Sequence, residues 1–207
     1  MDGEDERKSV ARLETLVDGV FAIAMTLLVL DIVVPQVAEG DLPAQLTNLG
    51  VKLFVYAISF VILGVYWVGH HYMFRVIRRA NFALIWLNIG FLMAVALVPF
   101  CAAFLSAYPR TQIAVVIYGA ALGLGAGAAY AIWWYVTKDS RLVDPGLDPV
   151  FVRYVRRRIV AGPFVALLGI GLSFLSTDAS IVLYAILPPV YLLQGGIDRF
   201  FMQPRTP

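Results

Sequence analysis

The chain has 207 residues, 60% of them hydrophobic and 14% charged, with a mean hydropathy of +0.80. A composition this apolar excludes an ordinary water-soluble domain, and a formal net charge of only +2 leaves no nucleic-acid footprint. The chain reads instead as a membrane protein. About 20 apolar residues cross a bilayer as a helix, and six stretches suffice: 13–34, 51–74, 82–107, 113–136, 155–175 and 179–200. They predict an all-α, polytopic fold of six transmembrane helices in one domain over 1–207, with a polar tail over 1–11 and a longer loop over 137–153.

The first span follows an acidic tail, MDGEDE, and has no small-residue cleavage site after it, so it is expected to stay as a helix rather than leave as a signal peptide. It holds Arg12, Glu14, Asp18 and Asp31, although a charge inside a span costs of order 3 kcal/mol on insertion scales and usually faces a bundle interior or a water path. On a wheel of about 100 degrees per residue, Leu16, Gly19, Ile23, Leu27, Leu30 and Val34 fall within a stripe about 80 degrees wide. Glu14 and Asp18 lie nearly opposite, and Asp31 sits at the margin of the stripe. Two readings stay open. The stripe faces lipid or neighbouring helices, or copies of this helix surround an axis and their Ile and Leu rings close a constriction that gates ions by dewetting.

The second span packs Ser59, Tyr66, Trp67, His70 and His71 into residues 56–74. Ser59, Tyr66 and His70 are seven and four apart and share a face. Asp18 is at a depth similar to the histidines, which makes a hydrogen-bonded cluster of Asp18 with His70 or His71, joined by Arg12, one expectation. Local capping and interfacial anchoring is the other. Adjacent histidines point about 100 degrees apart, so no metal site is expected. The single Cys101 lies in the third span and reads as a buried, inert thiol.

The fourth span contains GAALGLGAGAAY, where Gly119, Gly123 and Gly127 predict close helix packing. The loop over 137–153 is punctuated by Asp-Pro and Pro-Gly turns. Gly162 and Pro163 fall early in the fifth span, and Pro188 and Pro189 interrupt the sixth. All of the sixteen Lys and Arg except Lys52 and Arg110 fall on one side of this topology. That asymmetry places both termini in the cytoplasm. Asp31, Glu39 and Asp41 then lie near the outer mouth, where they would concentrate cations in a salt-sensitive way. No enzyme signature is present, nor the Thr-Val-Gly-Tyr-Gly filter of potassium channels.

The first two helices together resemble the transmembrane protein 175 family of potassium channels. Its first-helix pattern is matched by Arg12, Asp18, Ala22, Ile23, Thr26, Leu27 and Leu28, and its second by Ser59, Phe60, Gly64, Tyr66, Trp67, His70, His71 and Phe74. Asn81 and the pair Pro99 and Phe100 fit the third helix. One departure stands out, since the family's Phe-Ser is Leu16-Val17 here. The resemblance implies a homotetramer in a bacterial inner membrane, conducting potassium and other monovalent cations through a pore lined by the first helix around a symmetry axis. It implies a constriction at Ile23, Leu27 and Leu30, with Thr26, Asp31 and Val34 beside it. A bracing polar network of Arg12, Asp18, Ser59, Trp67, His70 and His71 and no cofactor beyond the permeant ion complete the expectation. Thr26 is expected to bond its own helix backbone rather than an ion. A proton- or cation-coupled transporter using Asp18 and the histidines, and a non-conducting scaffold, are the competing readings.

Overall fold

A computed structural model describes residues 3–34 and 42–193. Six α-helices follow in chain order: α1 (Gly3–Leu27), α2 (Leu42–Phe74), α3 (Phe82–Ala107), α4 (Gln112–Thr137), α5 (Pro149–Leu172) and α6 (Thr177–Leu193). A 3₁₀ turn, Leu28–Asp31, continues α1. Each of the six expected spans corresponds to one helix, and the end of the sixth, 194–200, lies outside the described residues, as do Glu39, Asp41, Arg199 and Arg205. Among the described residues, four helices are long and apolar enough to cross a membrane, and α6 supplies a shorter apolar run, Thr177–Ile186. The first turns of α5 carry Arg153, Arg156, Arg157 and Arg158, which lowers that helix's apolarity at one end.

The helix ends are set by local chemistry. Asn81 caps α3 by accepting from Leu84 N at 2.9 Å and anchors it to α4 by donating to Tyr135 Oη at 2.9 Å. Asp148 caps α5 by accepting from Val150 N at 2.7 Å, with Pro149 at the first helical position. This cap makes the loop shorter than the sequence implied, because residues 149–153 already belong to α5. The loop is pinned to the α2–α3 connection, where Arg78 N donates to Leu142 O at 2.8 Å and Ile77 pairs with Val143. Ile77, Leu142 and Val143 are buried together, so hydrocarbon burial as well as backbone pairing holds the loop down.

Helix α3 packs against α1, α2 and α4, and α4 packs against α3 and α5. The small residues of α4 admit close neighbours as expected, Gly119 and Gly123 from α5 and α6 and Gly125 from α2. A Cβ at Gly119 would collide with the Tyr184 ring of α6, one at Gly123 would come within 3.2 Å of Ala166 Cβ, and one at Gly125 within 2.8 Å of Tyr66 Cε2. Gly127, expected to pack closely with Gly119 and Gly123, meets open space instead. Tyr184 wedges between Gly119 of α4 and Gly169 of α5 and meets Tyr118 edge-on at 5.8 Å. Cys101 is buried and free.

Candidate functional site

Helix α1 presents three faces rather than two. Val10, Leu13, Val17, Phe21, Ala24 and Leu28 recur at three- and four-residue intervals, and all are buried against the neighbouring helices. Phe21 meets Phe91 of α3 at 5.9 Å. Val17, part of the pair that departs from the resembled pattern, is 1% exposed and belongs to this packed seam. An apolar side chain there adds buried methyls, which a hydroxyl would not.

The predicted stripe lies about 120 degrees around the helix from that seam. Its members are bare: Ile23 is 61% exposed and Leu30 is 68% exposed, and Leu16, Leu27 and Val34 are exposed as well. The 3₁₀ turn changes how the outer end lines up. Residues three apart eclipse in a 3₁₀ helix, so the turn over Leu28–Asp31 brings Leu30 over Leu27, where continued α-helix would rotate it away by about 60 degrees. Thr26 turns its hydroxyl back to Ala22 O and Ile23 O, both at 2.9 Å, and therefore offers the stripe no free donor.

The same turn relocates Asp31. It eclipses Leu28, which is buried, and so Asp31 turns toward the bundle rather than standing at the margin of the stripe. Ser106 Oγ of α3 donates to Asp31 Oδ2 at 2.6 Å, and Lys52 Nζ of α2 lies 3.4 Å from Oδ1. Lys52 also donates to the Asp31 carbonyl at 3.0 Å, placing a cation on the carbonyl end of the helix where the backbone dipole favours it. A residue tied through both carboxylate oxygens and its main-chain carbonyl is a clamp on the end of α1, not a free charge at a mouth.

The expected polar network divides, and Asp18 and His70 fall into two separate contacts. On one side of α2, Trp67 Nε1 donates to Asp18 Oδ1 at 2.7 Å, and His71 stacks on Trp67 with ring centres 5.7 Å apart. On another side, His70 is buried and its Nε2 donates to Asn88 Oδ1 of α3 at 2.9 Å, between the rings of Phe74 and Phe91. Ser59 and Tyr118 share a hydrogen bond at 2.9 Å, and Tyr66 Oη donates to Leu122 O at 2.6 Å. The shared face of Ser59, Tyr66 and His70 is thus real and points to α3 and α4. The pairing of Asp18 with a histidine is not what the structure has. His70 turns inward, and Trp67, one turn before His71, reaches the acid first. Arg12 is exposed and joins neither contact among the described residues.

Sequence reasoning passed over Lys52, Ser106, Asn88 and Tyr118. Lys52 carried a signal, being one of two basic residues on its side of the topology. Asn88 carried another, as a lone amide in the middle of a span. Among the described residues no cluster of His, Cys, Asp or Glu is arranged to hold a metal.

The profile of the family described as "Endosomal/lysosomal potassium channel TMEM175" matches residues 12–99, the part that contains the Trp67–Asp18 and His70–Asn88 contacts and the whole stripe. A protein of Streptomyces collinus named as a potassium channel is 36% identical over 185 residues, covering 87% of this chain and 90% of that one. The chain belongs to the TMEM175 family of potassium channels. A potassium channel of Chamaesiphon minutus is 32% identical over 197 residues, covering 92% of this chain and 97% of its own length. The crystal structure of a potassium-selective TMEM175 homolog from Chamaesiphon minutus superposes with a TM-score of 0.81 at 30% identity, covering 90% of this chain and 98% of that one. Fold and family therefore agree over nearly the full length. TMEM175 proteins are ion channels, not enzymes, and this one is a multi-pass membrane protein.

Proposed function

We propose that this TMEM175 protein is a potassium-permeable cation channel, a homotetramer in a bacterial inner membrane whose four α1 helices surround the pore. Ile23, Leu27 and Leu30 form its apolar constriction, with Val34 at the outer end. The observation that carries this reading is the third face of α1. Its bulky stripe is continuous and bare, while the packing seam and Asp18 are both satisfied elsewhere on the same helix. Bare leucines alone would not decide the matter, since Leu124 and Leu167 are equally exposed on α4 and α5. The stripe differs in belonging to the helix whose end is clamped by Asp31, Lys52 and Ser106, which keeps Leu30 aligned over Leu27.

Rings of such side chains exclude water until an ion enters partly dehydrated. Potassium gives up water more cheaply than sodium, which favours potassium at an apolar neck. Both termini face the cytoplasm, as the lysine and arginine asymmetry favours. The coupled-transporter reading drew on one Asp18–histidine cluster, whereas those groups lie in two contacts. The test is the reversal potential of the reconstituted channel. Ile23→Asn raises sodium permeation relative to potassium, and an unchanged reversal potential overturns the constriction.

A further inference from the structure

A cavity of about 340 Å³ opens between α2 and α5, with Trp133 of α4 in its wall. Its lining is almost entirely hydrocarbon, including Gly64 and Val68 of α2 and Val155 of α5. A Cβ added at Gly64 meets nothing within 4 Å, so this glycine leaves space where Gly119 and Gly125 admit a neighbouring ring. The lining positions of α2 run from Phe60 to Tyr72, about 18 Å along a helix axis. That is close to the hydrocarbon depth of one leaflet, half of a core about 30 Å thick. The one charged side chain in the lining is Arg158 of α5, whose Nη1 also donates to Tyr154 Oη at 3.4 Å, and α2 ends where α5 begins at this end of the bundle. Arg75 follows Tyr72 by three residues, and Arg156 and Arg157 precede Arg158, so this end of the bundle is strongly basic.

We propose that the cavity is a lipid site: an acyl chain of an anionic phospholipid lies between α2 and α5 with its phosphate on Arg158. The apolar length suits one leaflet's chain, and a guanidinium matches the geometry of a phosphate. The site goes beyond the channel reading and touches it at one residue. Trp67 lines the cavity and donates its indole N–H to Asp18 of α1, so the lipid chain packs on the side chain that braces the candidate pore helix.

Tryptophan quenching tests the site without any ion flux, so its failure is distinguishable from failure of the channel reading. Of the four tryptophans, Trp86 and Trp134 are exposed away from the cavity, while Trp67, partly exposed, and the buried Trp133 line it. In a W86F/W134F full-length oligomer, phosphatidylglycerol with brominated chains, titrated into phosphatidylcholine vesicles, quenches at about a fivefold lower mole fraction than brominated phosphatidylcholine does, the factor one basic side chain contributes near an anionic headgroup. Arg158→Gln removes that preference, Arg158→Lys retains it, and Gly64→Leu, which fills the cavity, abolishes the phosphatidylglycerol-specific component. Equal quenching by the two lipids overturns the proposal, as does a preference that survives Arg158→Gln. Absence of quenching by either lipid also overturns it, because a second copy or another protein then covers the groove.

Discussion

Helices α4 and α1 are both long apolar spans, yet they dispose of their surfaces in opposite ways. Helix α4 has small residues where it meets its neighbours, and bulky rings enter the gaps: Tyr184 at Gly119 and Tyr66 at Gly125. Helix α1 keeps Ile and Leu along a line that stays largely exposed in the chain. In a membrane, lipid tails are as apolar as leucine, so close packing rather than hydrophobic burial holds helices together. A line of bulky side chains is poorly suited to close packing, but it is suited to narrowing a lumen. The difference teaches that hydropathy alone identifies a span and residue size tells what the span does.

Four substitutions break or sharpen this contrast. The largest effect falls on α4. Gly119→Val drives a side chain into the Tyr184 ring and costs about 3 kcal/mol, seen as a lower unfolding midpoint in detergent or as loss of the assembled protein. On α1 the contacts are fewer and individually smaller. Trp67→Phe removes the indole donor from Asp18 and costs about 1 kcal/mol, read from the same unfolding curve. Lys52→Met releases the end of the 3₁₀ turn and costs about 0.5 kcal/mol, because the pair is only partly shielded. Ile23→Asn, at a bare position, changes stability by no more than about 0.5 kcal/mol while it changes permeation.

Composition and periodicity made the six helices legible, because each apolar run is bounded by charges or by turn residues. The face shared by Ser59, Tyr66 and His70 was legible for the same reason, since a seven- and four-residue spacing fixes a direction on a helix. What a wheel does not contain is the identity of the neighbour. It placed Asp18 away from the stripe, yet the histidine partner expected for the acid is replaced in the structure by Trp67. Asp31 moved for a different reason. The wheel assumed α-helix to the end, and a four-residue 3₁₀ turn shifts the last residues enough to exchange a marginal position for a clamped one. The rewritten Leu16-Val17 divides along the same lines, with Leu16 bare on the stripe side and Val17 sealed in the seam.

The most direct test of the pore face is thiol accessibility from water. In a Cys101→Ala background, Ile23→Cys, Leu27→Cys and Leu124→Cys are each exposed to a charged methanethiosulfonate while potassium current is recorded. The account predicts irreversible block at Ile23→Cys and Leu27→Cys and no effect at Leu124→Cys, which is as bare as Ile23 but lies on α4. Unmodified current at Ile23→Cys and Leu27→Cys, with the reagent active on a soluble thiol, would contradict it.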